Sequence, residues 1–425
     1  MRKKFRILTG IFKKICLGGF EEKSRASGGG FAFFFARGFN FCRVCGIMGT
    51  VPKIDKEDSI MKKLLAMLLV LAMALGVAPA FAEEAETYEL ALVTDVGTID
   101  DKSFNQGAWE GLMQYAEENG ITYKYYQPPQ QSDEDYLATI KLAVDGGAKI
   151  VVTPGYLFEV SVYEAQSLYP DVHFILLDGE PHDADYNYET KENTAPILYA
   201  EQQAGYLAGY AAVKDGFTKL GFMGGMQVPA VIRYGYGFVK GADDAAAEMG
   251  LEAGSVTVNY TYTGSFDATP EAQSMAAAWY NDGVEIIFGC GGAVGNSVMA
   301  AAEAASAYVI GVDVDQSVES ETVVTSAMKG LGDSVYQTIA AYYAGEFPGG
   351  VTTVKDASNN GVQLPMETSK FMNFTQEDYD AVYAKLASNE NGICDAIPTN
   401  PTEDNGQPAT AADIATSIVA VTIIE

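Results

Sequence analysis

The residues best suited to chemistry lie just after short apolar runs. Asp95-Val96-Gly97-Thr98-Ile99-Asp100-Asp101-Lys102-Ser103-Phe104-Asn105-Gln106 follows the run at 89–94. Pro154-Gly155-Tyr156-Leu157-Phe158 follows 149–153, and Asp178-Gly179 ends 173–178. Farther on come Gly224-Gly225-Met226, Gly264-Ser265-Phe266-Asp267, Gly291-Gly292 and Asp313. Open parallel sheets bind ligands at the carboxyl ends of their strands, so these positions converge on one edge. Carboxylates there accept hydrogen bonds and amides do both. Phe104 and Phe266 stand in polar turns with Asp, Ser or Asn neighbours, which favours half-exposed rings over core ones. No nucleophile–base pair accompanies them. His173 and His182, the chain's two histidines, have no ligand-like spacing, which argues against a triad or a zinc site. Gly289-x-Gly291-Gly292-x-x-Gly295 has the outline of a dinucleotide fingerprint, but it comes late in the chain. Neither a cofactor, a metal nor a catalytic residue is expected.

These positions need strands and helices to carry them. Apolar blocks predict strands at 89–94, 149–153, 173–178, 219–223, 255–261, 284–288 and 308–312. Continuous Val/Ile/Leu/Phe runs mark strands buried on both faces of a parallel sheet. Ser103-x-x-Gln106 and Ser132-x-x-Asp135 resemble capping boxes, and Gly120 and Gly146 stand where helices would end. Strands alternating with helices imply βαβ units, and the length suggests two lobes.

The 425 residues carry a formal charge of −29, and the acidic excess lies downstream of residue 82. Such a surface repels phosphate backbones, so no nucleic-acid partner is expected. Met61-Lys62-Lys63, an apolar run over 64–77 and Ala80-Phe81-Ala82 predict a signal peptide at 61–82, cleaved near Ala82. Residues 1–60, including Cys42-x-x-Cys45, precede an export signal and are read as a spurious or unstructured leader. Cys290 and Cys394 could pair in an oxidising compartment; the sequence leaves this open.

Asp-x-Gly-x-x-Asp-Asp-Lys-Ser-Phe-Asn-Gln at 95–106, followed by Ala108-Trp109-Glu110-Gly111, resembles the opening signature of the basic membrane protein family. These are ABC-transporter substrate-binding proteins that include purine nucleoside receptors. Gly224-Gly225-Met226-x-x-Pro229, Gly264-Ser265-Phe266, Ile286-Ile287-Phe288 with Gly291-Gly292, and Gly311-Val312-Asp313-x-Asp315-Gln316 support it, so that it spans about 88–390. The resemblance implies an α/β, two-lobed type I periplasmic-binding fold, parallel sheets flanked by helices, with the ligand cleft between lobes. It places 88–196 and 328–398 in lobe one, 197–327 in lobe two, and leaves 399–425 as linker and C-terminal strand. It implies a base held between Phe104 and Phe266. Asp101, Asn105 and Asp178 become polar contacts from lobe one, and Gly292, Asp313 and Lys329 contacts from lobe two and the crossover. The implied partners are a nucleoside and a membrane permease–ATPase complex, and a monomer is expected. The family commonly carries a lipobox cysteine where this chain has Ala80-Phe81-Ala82, so a free exported protein, periplasmic or extracellular, is expected.

Two alternatives stand beside this reading. One keeps a receptor but makes the solute a sugar or another nucleoside-like metabolite. The other is an enzyme: Asp95-x-x-x-x-Asp100-Asp101 distantly resembles the calcium-binding opening of nucleoside hydrolases. That pattern wants an aspartate at the place of Val93, and Lys102 would oppose a cation.

Overall fold

The computed structural model describes residues 87–401 and 405–425; the leader, the signal peptide and Cys42-x-x-Cys45 lie outside the described residues. Two sheets organise the chain. The first runs in the order β11-β5-β4-β3-β1-β2 and is parallel throughout. Its strands are β1 (Leu90–Val93), β2 (Tyr123–Tyr126), β3 (Ile150–Pro154), β4 (His173–Leu177), β5 (Thr194–Tyr199) and β11 (Thr353–Lys355). β1 and β3 are buried at every position, as their unbroken apolar sequences demand. Helices α1 (Phe104–Asn119) and α8 (Leu331–Ala344) cover one face. Helices α2 (Asp133–Asp145) and α3 (Glu159–Leu168) cover the other.

The second sheet runs β12-β10-β9-β8-β6-β7-β13. It contains β6 (Lys219–Gly224), β7 (Val256–Tyr262), β8 (Ile286–Cys290), β9 (Tyr308–Asp313), β10 (Val323–Lys329), β12 (Val362–Gln363) and β13 (Val419–Ile423). Only the short β12 is antiparallel to its neighbour. Helices α4 (Glu201–Asp215), α5 (Pro229–Glu248) and α9 (Gln376–Ala387) pack on one face, and α6 (Pro270–Asn281) and α7 (Val294–Ala305) on the other. The chain crosses between sheets at Ala200, at Gly330 and through 356–361. The tail docks: β13 runs parallel to β7 and covers that edge, and Asp243 of α5 accepts the backbone N–H groups of Ser417, Ile418 and Val419.

Three details differ from expectation. The segment after β11 packs on the second sheet, since Phe374, Tyr379, Val382, Leu386 and Ile397 are buried in its core. Of the stretch 328–398, only α8 and β11 join the first sheet. Ser103 does not cap α1, because its hydroxyl points across to Asp313. Gly146 ends α2 in a right-handed conformation, and the left-handed glycine is Gly147, at φ 98°.

Helices α4 and α5 approach closely because glycines alternate along their contact. A Cβ on Gly205 or Gly209 would stand 2.0 Å from the carbonyl oxygen of Tyr234 or Phe238. Gly237 and Gly241 meet the carbonyls of Gln202 and Tyr206 at the same distance. No other residue fits there. The consequence lies at the top of the pair, where Glu201 and Arg233 are brought together.

Candidate functional site

The strands of both sheets deliver their carboxyl ends to one partly enclosed cleft, open to solvent at its mouth. A concave site between lobes, lined by apolar side chains and a few convergent polar groups, suits a small-molecule ligand. Asp101, Phe104, Asn105, Asp178, Phe266, Gly292, Asp313 and Lys329 all line it. Asp178 follows β4 and Asp313 ends β9, with φ of 60° and 67°. Aspartate tolerates this left-handed region better than most residues, and here it turns both carboxylates into the cleft.

Asp101 and Asn105 have protein partners for most of their capacity. The Asp101 carboxylate accepts the backbone N–H groups of Ser103 (2.9 Å), Asn105 (2.9 Å) and Gln106 (3.1 Å), and Asn105 Nδ2 at 3.1 Å. It therefore does the capping expected of Ser103 and fixes the first turn of α1, where Phe104 begins. Asn105 Nδ2 also donates to Asp95 Oδ1 at 2.9 Å. Asp95, another cleft residue, is pushed up to about 6, mainly by burial. These bonds turn Asp95 and Asp101 toward the protein rather than toward a shared cation.

Phe104 and Phe266 are both half-buried, one from each sheet's side of the cleft. Phe266 lies on glycines: a Cβ on Gly225 would come within 2.5 Å of its ring, and one on Gly291 within 3.1 Å. A Cβ on Gly292 would stand 3.0 Å from the Phe266 carbonyl oxygen. Gly225, Gly291 and Gly292 thus form a seat for Phe266, a packing role for two glycines of the fingerprint-like run.

Lys329 is the electrostatic centre. Its ammonium pairs with Asp178 Oδ2, lies 3.4 Å from Glu201 Oε1 and 3.7 Å from Asp313 Oδ1, and sits 4.6 Å from the centroid of the Phe104 ring. Burial alone would lower the lysine, but Asp178, Glu201 and Asp313 outweigh it and hold it above its ordinary value. Burial pushes Asp178 up to about 7 despite Lys329. Asp313 is raised too, chiefly by burial, with Lys329 and Ser103 pulling the other way. Asp178 Oδ1 is buried without a hydrogen-bond partner, which leaves an acceptor at the cleft wall.

Sequence reasoning missed Glu201, Arg233 and Tyr234. Glu201 is fully buried and bonds Arg233 Nε at 2.5 Å, so the second cation offsets it. The Tyr234 hydroxyl donates to the Ala327 carbonyl at 3.2 Å beside Asp313. Glu201 opens α4 two residues after β5, so reading that strand would have put it near a strand end with the others. Cys290 is buried and Cys394 half-buried, and both are free thiols.

Two lobes of parallel sheet, joined by crossings and meeting at a cleft lined from both, define a solute-binding protein of the type I periplasmic-binding fold. Residues 88–396 match the Bmp family, described as ABC transporter substrate-binding protein PnrA-like, and the chain belongs to that family. It is 32% identical over 315 residues to the ABC transporter nucleoside-binding protein BmpA of Lactococcus lactis subsp. cremoris, covering 69% of this chain and 84% of that one. Basic membrane protein A of Borreliella afzelii is 29% identical, over 71% of this chain and 90% of its own. Among solved structures, an ABC transporter solute-binding protein from Aeropyrum pernix K1 superposes with a TM-score of 0.61 at 23% identity, covering 75% of this chain and 94% of that one. One from Conexibacter woesei reaches 0.56 at 23%, over 72% and 97%. The family's members are extracytoplasmic substrate-binding proteins that serve membrane permease–ATPase complexes. Among the described residues, no helix is long and apolar enough to cross a membrane.

Proposed function

We propose that the protein binds a purine nucleoside in this cleft as an exported monomer and passes it to its permease unchanged. The observation that carries the reading is the pair of half-buried rings, Phe104 and Phe266, lining one cleft with buried acceptors. A nucleobase has two π-faces, and each stacking contact contributes about 1–3 kcal/mol. Ribose presents adjacent hydroxyl donors, and ionised Asp313 and Asp178 can only accept. Charge-assisted bonds are roughly twice as strong as neutral ones, and Lys329 favours the charged form of both. Gly292 adds close backbone approach, while Asp101 and Asn105 hold the turn that carries Phe104. Asp95 and Asp101 are engaged by Asn105 and backbone N–H groups instead of being grouped around a cation, which favours a receptor over a calcium-dependent hydrolase. The nucleoside-binding relative from Lactococcus supports a nucleoside as the solute class.

A thermal-shift screen tests this on protein unfolded and refolded to strip carried solute. A ligand stabilises by RT ln(1 + [L]/Kd). Purine nucleosides should raise the midpoint; free bases and sugars should not. A sugar that raises it while nucleosides do nothing would replace this reading.

A further inference from the structure

A buried acid–imidazole pair, away from the rings, holds the backbone that carries Asp178. Glu159 opens α3 and His182 lies in the loop after β4; they are 6% and 5% exposed. Glu159 Oε1 accepts the backbone N–H of Glu180 at 2.8 Å. Its Oε2 lies 3.1 Å from His182 Nε2. Gly179 packs against the same side chain, so that a Cβ there would stand 2.8 Å from Glu159 Cγ. Asp178, one residue earlier, keeps its left-handed φ of 60°. Such a conformation persists only where neighbours fix it.

The proton count of the pair follows from its partners. His182 Nδ1 is 2.6 Å from the Asp183 carbonyl oxygen. A carbonyl only accepts, so Nδ1 carries a hydrogen. Nε2 then faces Glu159 Oε2, and a bond between them needs one proton, on the nitrogen or on the oxygen. Without it, a carboxylate faces a nitrogen lone pair.

We propose that Glu159 and His182 form a one-proton latch that positions Asp178 in the cleft, so that solute affinity declines when the pair loses its shared proton. This rests on the cleft being the solute site. Around the pair stand the carboxylates of Glu180 and Asp183 from the same loop and the Tyr156 phenol from the turn before α3. Tyr186 and Tyr188 pack on the imidazole, their ring centroids 4.6 and 5.0 Å from its own. Arg233 of α5 supplies positive charge that Glu159 feels in return. Burial pushes the Glu159 carboxyl up to about 7, against the pull of the Glu180 N–H and His182. A group raised in this way keeps its contribution at low pH and loses it as pH rises through the folded value. Asp178 is pushed up to about 7 as well, and its ionisation favours binding, so the two act oppositely over one interval and the latch is read as the difference between the parent and Glu159→Gln.

Two ligand-free readouts and one binding readout test this on the whole protein. With two histidines in the chain, the His182 ring nitrogens can be followed by nitrogen-15 spectra. Nδ1 should stay protonated while the Nε2 signal moves as the pair gives up its shared proton, and exchange of the Glu180 amide should accelerate beyond its intrinsic pH dependence at the same midpoint. Relative to Glu159→Gln, the parent's affinity for a nucleoside whose base does not titrate should fall roughly ten-fold between about pH 6 and pH 9, the worth of one pKa unit of differential interaction. Glu159→Gln offers an acceptor to Glu180 and a donor to Nε2, so it should remove the alkaline step in all three. Glu159→Ala offers neither and should give fast Glu180 exchange at every pH. An alkaline step that persists in Glu159→Gln, or Glu180 exchange indifferent to Glu159→Ala, overturns the latch. If the parent binds no nucleoside, the solute reading fails by itself, because the spectra and the exchange need no ligand.

Discussion

The Ser103 hydroxyl donates to Asp313 Oδ2 at 2.5 Å, joining the start of α1 to the end of β9 across the two lobes. This bond occupies one oxygen of Asp313 and leaves Oδ1 beside Lys329 and Tyr234. If that oxygen reads the ribose, Asp313→Asn should cost on the order of 1.5–3 kcal/mol in binding a ribonucleoside, the worth of bonds to a charged group. The cost should be clearly smaller for the dideoxy analogue. Calorimetric titration of parent and variant with both ligands checks this, and equal losses would remove Asp313 from sugar recognition.

The glycine seat makes a second prediction. Gly225→Ala places a methyl group where the Phe266 ring lies, at 2.5 Å. The ring must move while the strands keep their core. Affinity should drop about as far as in Phe266→Ala, with little change in the urea midpoint. An alanine variant that binds like the parent would show that the ring position does not matter.

Lys329 compensates carboxylates that have few other cations nearby. Lys329→Met should destabilise the fold by roughly 3–5 kcal/mol, because removing one partner leaves buried charge uncompensated. The loss should shrink as pH falls and Asp178 and Asp313 take up protons. Urea unfolding at several pH values measures both effects; a loss below about 1 kcal/mol would place the lysine among weak surface pairs.

The buried carboxyls also set the pH dependence of stability. Asp95 is pushed up to about 6, and Asp178 and Glu159 to about 7, each chiefly by burial. Raised folded values mean stability that is complete at low pH and lost as pH rises through them. Glu201 and Asp243 are lowered, so their contributions vanish only below the ordinary carboxylate range. The urea midpoint should therefore fall between about pH 5.5 and pH 8 with an unchanged slope. A midpoint that climbs over that interval would contradict the assignment.

The sequence revealed most where burial and backbone agree. Unbroken apolar runs marked β1, β3, β4, β6, β8 and β9, and the positions after them became the cleft wall. It said little about β5, because Pro196 argues against a strand interior. In the structure Pro196 pairs with Leu176 of β4, while β11 begins its pairing only at Ile197, so the proline occupies an edge. β2 (Tyr-Lys-Tyr-Tyr) is half-exposed at the other edge and lacks an apolar block. β10 is masked by small polar residues, Thr325 and Ser326, although both are buried. Missing β5 hid Glu201, and Arg233 was hidden with it, since their meeting depends on the glycine contact of α4 and α5. Ser103 had the sequence of a cap, yet Asp101, two residues earlier, reaches the helix N–H groups and frees the hydroxyl for Asp313.

In the proposed binding mode, one base lies between rings from the two lobes. The most direct measurement of this is a titration of the parent, Phe104→Ala and Phe266→Ala with the same purine nucleoside under the same conditions. Each truncation should weaken binding roughly ten- to hundred-fold, the equivalent of one stacking contact, with the fold intact. If either variant binds as tightly as the parent, that ring does not hold the base and the two-sided cleft is wrong.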